Sequence, residues 1–194
     1  MKLQIIVGSS RPGRVSDKVA EWTAAAAKTI DGTEVEIVDL ADHVLPLFDE
    51  AGSPQYNPER KPNAPAQKFL DKLAEADAYA IVTPEYNRST SGVLKNALDY
   101  VDFQMKQKPV LIIGHGTTGG AQAVDSLRSI LPAFKGVTIP SVVYVMGHAT
   151  ASMNEDGELT DEDIKNNPYG PQAALHNALD ELKWYSDALA AARG

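Results

Sequence analysis

The sequence predicts an α/β protein, a three-layer sandwich in which a five-stranded parallel sheet lies between helices on both faces. Three observations predict it. Five apolar, β-branched runs alternate with five helical segments along 194 residues, the order that parallel crossovers produce. The runs are continuous rather than alternating, which suits strands buried on both faces. Three of the runs are followed by polar, glycine- or proline-bearing loops of the kind that hold ligands at the carboxyl ends of a parallel sheet.

The elements follow in order. LQIIVG (3–8) is the first strand and ends in a Gly/Ser turn. A helix over 16–29 places Val19, Trp22 and Ala26 on one stripe, with Val15 just before it as an anchor. VEIVDL (35–40) is the second strand, 63–76 the second helix and YAIVTP (79–84) the third strand. The helix over 91–103 has a core stripe of Leu94, Leu98 and Val101, while Val93, Tyr100 and Phe103 fall off it. A helix with more apolar surface than one face can bury has a second neighbour. PVLIIGH (109–115), a helix over 119–131, VVYVMG (142–147) and a helix over 171–192 complete a single domain spanning 1–194. Two connections exceed ordinary turns: 41–62, with Pro46, Pro54, Pro58 and Pro62, and the acidic, Gly/Asn-rich 148–170. Loops this long are binding, interface or disordered elements. Residues 154–162 lack the alternating Asp/Asn register of a calcium loop and read as a solvated acidic turn.

Composition excludes several functions. With 26 acidic against 18 basic side chains the formal charge is −8, and no Lys/Arg stripe is present to grip nucleic acid or an anionic membrane. Cysteine is absent, which removes disulfides, thiolate metal sites and thiol chemistry. His43, His148 and His176 have no metal-ligand spacing, and no metal site is expected. The apolar run at the N-terminus is too short for a signal-peptide core and reads as the first strand, and no stretch reaches the ~20 apolar residues of a membrane helix. The expected location is cytoplasmic.

The loops after strands one, three and four read GSSRPGRVS, PEYNRSTS and GHGTTGG. In the first, Gly8 permits a tight turn, and Ser9, Ser10 and Ser16 supply hydroxyls. Arg11 and Arg14 supply fixed charge, and the helix at Ser16 turns its positive end into the loop. That is an anion cradle suited to a phosphate. In the second, Pro84 stiffens the turn, Tyr86 can lay its face on a ring, and Asn87 offers a donor and an acceptor beside the Glu85 carboxylate. In the third, Gly114, Gly116 and Gly119 match G-x-G-x-x-G, but no acidic partner for a ribose lies about 20 positions on. These glycines read as backbone that approaches a flat ligand closely, or as plain turn glycines. A phosphorylated flat heteroaromatic satisfies the first two loops together.

On these motifs, with LPLFDE (45–50), GVLKNALDY (92–100) and DGELTDED (156–163), the chain resembles the NAD(P)H-dependent FMN reductase family of flavodoxin-like proteins, which includes quinone, azo and chromate reductases. The resemblance covers most of the chain and implies a flavodoxin-like fold, bound FMN, and NADPH or NADH as co-substrate. It implies that Ser9, Arg11, Val15 and Ser16 bind the FMN phosphate and that Pro84, Glu85, Tyr86 and Asn87 line the isoalloxazine. His115, Gly116 and Thr117 then border its other side. The chain departs from the family pattern in having Ser91 where proline is usual and His115 where a small residue is usual.

The expected activity is transfer of electrons from the nicotinamide cofactor through FMN to a small-molecule acceptor, a quinone, azo compound, chromate or free flavin. Because the cofactor carries the hard chemistry, no catalytic acid or base is expected. The alternatives are a flavodoxin-like electron carrier, which would not oxidise NAD(P)H itself, and a nucleotide-binding module, which would be colourless. A homodimer, or a homotetramer built from it, is expected from the off-stripe residues of 91–103 and from Leu45, Leu47, Phe48 and Tyr56 in the 41–62 connection.

Overall fold

A computed structural model describes residues 1–193. Its centre is one all-parallel sheet of order β2-β1-β3-β4-β5, made of β1 (Lys2–Val7), β2 (Glu34–Asp39), β3 (Ala78–Pro84), β4 (Pro109–Gly116) and β5 (Val137–Met146). Period-two alternation sends successive side chains to opposite faces. Leu3, Ile5, Val7, Leu111, Ile113, Val143 and Val145 pack on one face against α1 (Ser16–Ala27) and α7 (Pro171–Arg193). Ile6, Val38, Tyr79, Ile81, Val110 and Ile112 pack on the other against α2 (Ala64–Ala74), α3 (Gly92–Asp99) and α4 (Ala121–Ile130). The short helices α5 (Gly147–Ala151) and α6 (Glu162–Lys165) lie in the connection from β5 to α7. Chain order reverses between β1 and β3, so the loops after these strands flank the switch point where α/β sheets bind ligands.

Helix starts follow local capping chemistry. The Asn63 side chain accepts the Ala66 N–H at 3.0 Å, and Ser91 Oγ accepts that of Leu94 at 3.1 Å, so serine in place of proline leaves α3 intact. This helix ends at Asp99 rather than near 103, because Arg60 donates to the Tyr100 carbonyl at 2.9 Å and to Asp102 Oδ2 at 3.1 Å. β5 begins five residues before the apolar run that announced it. Pro140 obscured its first half, and a proline is tolerated there because β5 is an edge strand.

Two expectations about surface are overturned. Tyr100 is fully buried within its own chain: its ring meets Phe48 edge-on at 5.2 Å, and its hydroxyl donates to the Pro46 carbonyl at 3.2 Å. The second neighbour of α3 is therefore the 41–62 connection, held also by Asn96, whose side chain bonds both the Phe48 amide and the Pro46 carbonyl at 2.8 Å. Arg60 closes this segment with two bonds to Glu50, at 2.8 and 2.6 Å. Nor is 154–162 a purely solvated turn. Met153 and Leu159 pair there and are buried. A Cβ at Gly157 would lie 2.5 Å from the Lys18 carbonyl, so the loop lies flat on α1.

Candidate functional site

The loop after β1 is fixed at both ends. The Gly8 N–H donates to the Val82 carbonyl at 2.8 Å, and a Cβ at Gly8 would stand 2.7 Å from that oxygen. Gly8 thus permits close contact with β3 as well as a turn. Residues 11–14 then close a turn through Arg14 N–H to the Arg11 carbonyl at 3.2 Å, with Pro12 and Gly13 (φ 67°) in the type II positions. Ser9 is fully buried, and its Oγ lies 2.9 Å from the Tyr86 hydroxyl. Ser10 and Arg11 face solvent, with the Arg11 guanidinium 5.4 Å from the centre of the Tyr86 ring. Among the described residues Arg11 makes no ion pair. α1 opens at Ser16 with Val15 as its N-cap, and Val15 supplies no side-chain acceptor. The Asp17 carboxylate accepts the Lys18 N–H at 2.9 Å, so the Ser16 and Asp17 N–H groups and the positive end of the helix dipole are left to whatever occupies the loop.

Two residues expected to face an anion are engaged elsewhere. Arg14 forms a two-pronged ion pair with Asp39 at the end of β2 and donates to the Ser9 carbonyl. It shapes the loop rather than offering its charge. The Ser16 hydroxyl is fully buried and lies 2.8 Å from Nε2 of His115, leaving the Ser16 main-chain N–H as the group at the helix start. Asp39 was missed in the sequence, although an acid closing an apolar strand (VEIVD) was its signal.

The loop after β3 is a rigid hairpin. Tyr86 and Ser89 exchange both main-chain bonds, at 2.9 and 3.1 Å, around Asn87 (φ 49°) and Arg88 (φ 68°). Two positive φ values at a two-residue tip are the type I′ turn, adopted here without glycine. Pro84 stands beside His115 in register, and the Glu85 N–H donates to the His115 carbonyl at 3.0 Å. The Glu85 carboxylate accepts the Gln122 N–H at 3.0 Å, which caps α4 where Gly120 has no side chain to do so.

The loop after β4 returns tightly on its own strand. A Cβ at Gly114 would lie 2.8 Å from the Gly119 carbonyl, and one at Gly120 (φ 80°) 2.6 Å from the His115 amide nitrogen. Gly114 is therefore required by the loop's own packing, not by a ligand. His115 is 3% exposed, and burial pushes its pKa down to about 4, so the ring is neutral. It lies under the start of α1, while Gly116 is half-buried and Thr117 exposed at the rim. The three loops thus bring Ser9, Arg11, Val15, the Ser16 amide, Tyr86 and the 115–117 main chain to one end of the sheet. No described helix is long and apolar enough to cross a membrane.

Comparison with known proteins agrees with this fold. Residues 1–151 match the family described as NADPH-dependent FMN reductase. An NAD(P)H-dependent FMN reductase of a Nectria species is 32% identical over 191 residues, 94% of this chain and 95% of its own. An FMN-dependent NADPH-azoreductase of Staphylococcus haemolyticus is 34% identical over 145 residues, 74% and 76% of the two chains. Among solved structures, the NAD(P)H:acceptor oxidoreductase FerB of Paracoccus denitrificans superposes with a TM-score of 0.72 at 25% identity, covering 95% of this chain and 98% of the other.

Proposed function

Since the chain belongs to the NADPH-dependent FMN reductase family, we propose that its three loops hold FMN and that it oxidises NAD(P)H to reduce a small acceptor, a quinone or azo compound foremost. One observation carries the placement of the cofactor. Val15, the N-cap of α1, supplies no capping side chain, so the Ser16 and Asp17 N–H groups face the loop, and beside them stands Arg11, an exposed cation without an ion-pair partner among the described residues. A dianionic phosphate fits that donor set, since it accepts main-chain N–H bonds and a guanidinium together. FMN held there would supply the redox chemistry between the nicotinamide and the acceptor.

The chain's own residues bind and orient. Arg11 and the amides at the start of α1 take the phosphate. Tyr86 is held against Ser9 and forms a wall between the phosphate and the ring, and the Asn87 amide and those of 116–117 meet the ring's polar edges. Arg14 and Asp39 fix the first loop from behind. We further propose a homodimer that uses the outer side of the 41–62 segment. Val44, Leu47 and Tyr56 there are each more than three-quarters exposed, beside a groove of about 670 Å³ between this segment, α3 and 130–134.

Purified protein reconstituted with FMN tests the function. The expected result is a yellow protein that releases FMN on denaturation and oxidises NADPH with 1,4-naphthoquinone or an azo dye as acceptor. A flavin-loaded protein that leaves NADPH and NADH untouched would be an electron carrier instead. A chain that takes up no flavin would overturn the site.

A further inference from the structure

His115 is the residue at which the three loops of the site meet. Its Nε2 lies 2.8 Å from Ser16 Oγ in the first turn of α1, and neither side chain reaches solvent appreciably. Its carbonyl accepts the Glu85 N–H at 3.0 Å, joining the second loop. Its amide lies under the third loop, where the backbone of Gly120 leaves no room for a Cβ. The ring is neutral and turned away from the loop surface, so it adds no charge for an anion. What it supplies is a partner for a hydroxyl that is otherwise buried. With a small residue at 115, Ser16 Oγ would lack that partner, and α1 would lose its polar tie to β4.

We propose that His115 is a positioning residue: through Ser16 it sets the spacing between the start of α1, which takes the phosphate, and the hairpin and third loop, which take the ring. The inference rests on the flavin site proposed above and adds to it a determinant of selectivity. A ligand anchored at both ends benefits from two anchor points held at the right separation, whereas one anchored only by its ring is indifferent to that separation. His115 should therefore raise the affinity for FMN over riboflavin, which has the same ring and chain but no phosphate.

The test is fluorescence titration of the flavin-free full chain with FMN and with riboflavin, for the wild type, His115→Leu, Ser16→Ala, the double variant and His115→Gln. The preference for FMN is expected to fall roughly tenfold in His115→Leu and in Ser16→Ala, with riboflavin affinity unchanged. The double variant is expected to lose no more than either single one, because both remove the same bond. His115→Gln should keep the preference, since its amide nitrogen reaches close to the position of the imidazole Nε2. A role in stability alone would lower the melting temperature, or both affinities together, and leave their ratio intact. If His115→Leu fails to fold, Ser16→Ala decides alone. A ratio within about twofold of the wild type in the folded deletion variants overturns the positioning role while the flavin site stands. A wild-type chain that binds neither flavin overturns both.

Discussion

The hydroxyl oxygens of Ser9 and Tyr86 stand 2.9 Å apart, tying the first loop of the site to the hairpin after β3. With the Arg11 guanidinium over the ring face at 5.4 Å, the phenol is held both at its tip and across its face. Tyr86→Phe removes the first hold and keeps the ring, so FMN binding is expected to weaken by roughly 3- to 10-fold. Tyr86→Ala removes the ring as well and is expected to lower turnover with 1,4-naphthoquinone. Flavin titration and steady-state rates separate the two variants. Equal affinity for Phe and Tyr would show that the hydroxyl pair contributes only packing.

Arg11 and Arg14, three positions apart, should behave oppositely. Arg14→Ala leaves Asp39 without its ion pair and is expected to cost roughly 1–3 kcal/mol of stability. Arg11→Ala should leave melting unchanged and weaken FMN binding by about 10- to 150-fold. Thermal melts without flavin, together with titrations, would expose an exchange of these roles.

Burial holds His115 near pKa 4, against an ordinary 6.5, and lowers His43 as well. The unfolded chain then takes up these protons first as pH falls. Stability contributed by the neutral His115 ring is therefore fully present above about pH 6.5 and declines toward pH 4, by up to roughly 3 kcal/mol. Urea unfolding at pH 7 and pH 5 should show this slope in the wild type and a shallower one in His115→Gln. Parallel curves would place the acid sensitivity elsewhere.

Arg60 should hold the 41–62 segment in place. Its side chain is 5% exposed and bonds Glu50, Asp102 and the Tyr100 carbonyl. Arg60→Ala leaves both acids short of a partner and is expected to cost roughly 2–4 kcal/mol. Limited chymotrypsin digestion should then cut at Leu47, Phe48 or Tyr56 faster than in the wild type. Unchanged cleavage would mean that Asn96 and Tyr100 hold the segment unaided.

The proposed homodimer should elute with twice the chain mass of 20.8 kDa by light scattering. A Leu47→Asp, Tyr56→Asp variant should shift it toward the monomer, because both side chains face solvent in the single chain. A wild-type monomer that retains flavin would show the groove beside Tyr56 to be free of a second copy.

The sequence made the strands and the loop positions legible because both are local properties. A run such as YAIVTP carries its own burial pattern, and Ser91 carries its own cap. The errors fall where a residue's partner is distant. Tyr100 read as surplus apolar surface because Pro46 and Phe48, which pack on it, lie in a segment whose spacing carries no period. Arg14 read as a free cation because the Asp39 that pairs with it is 25 positions away. The reading of β5 as starting only at 142 has a similar origin, since a proline ends a strand in isolation yet is harmless on an edge strand whose neighbour is β4.

Ser16 and His115 are separated by 99 positions, and that separation sets a clock on biosynthesis. At roughly 5–20 residues per second, about 5–20 seconds pass between the making of Ser16 and the making of its partner. During that interval the nascent chain has the first loop of the site but no third loop, and the strand that will fix α1 from below does not yet exist. If the three loops hold the cofactor together, its capture is expected at the final stage of folding. Holoprotein yield in a cell short of riboflavin should track how long completed chains survive proteolysis, not how quickly they are made.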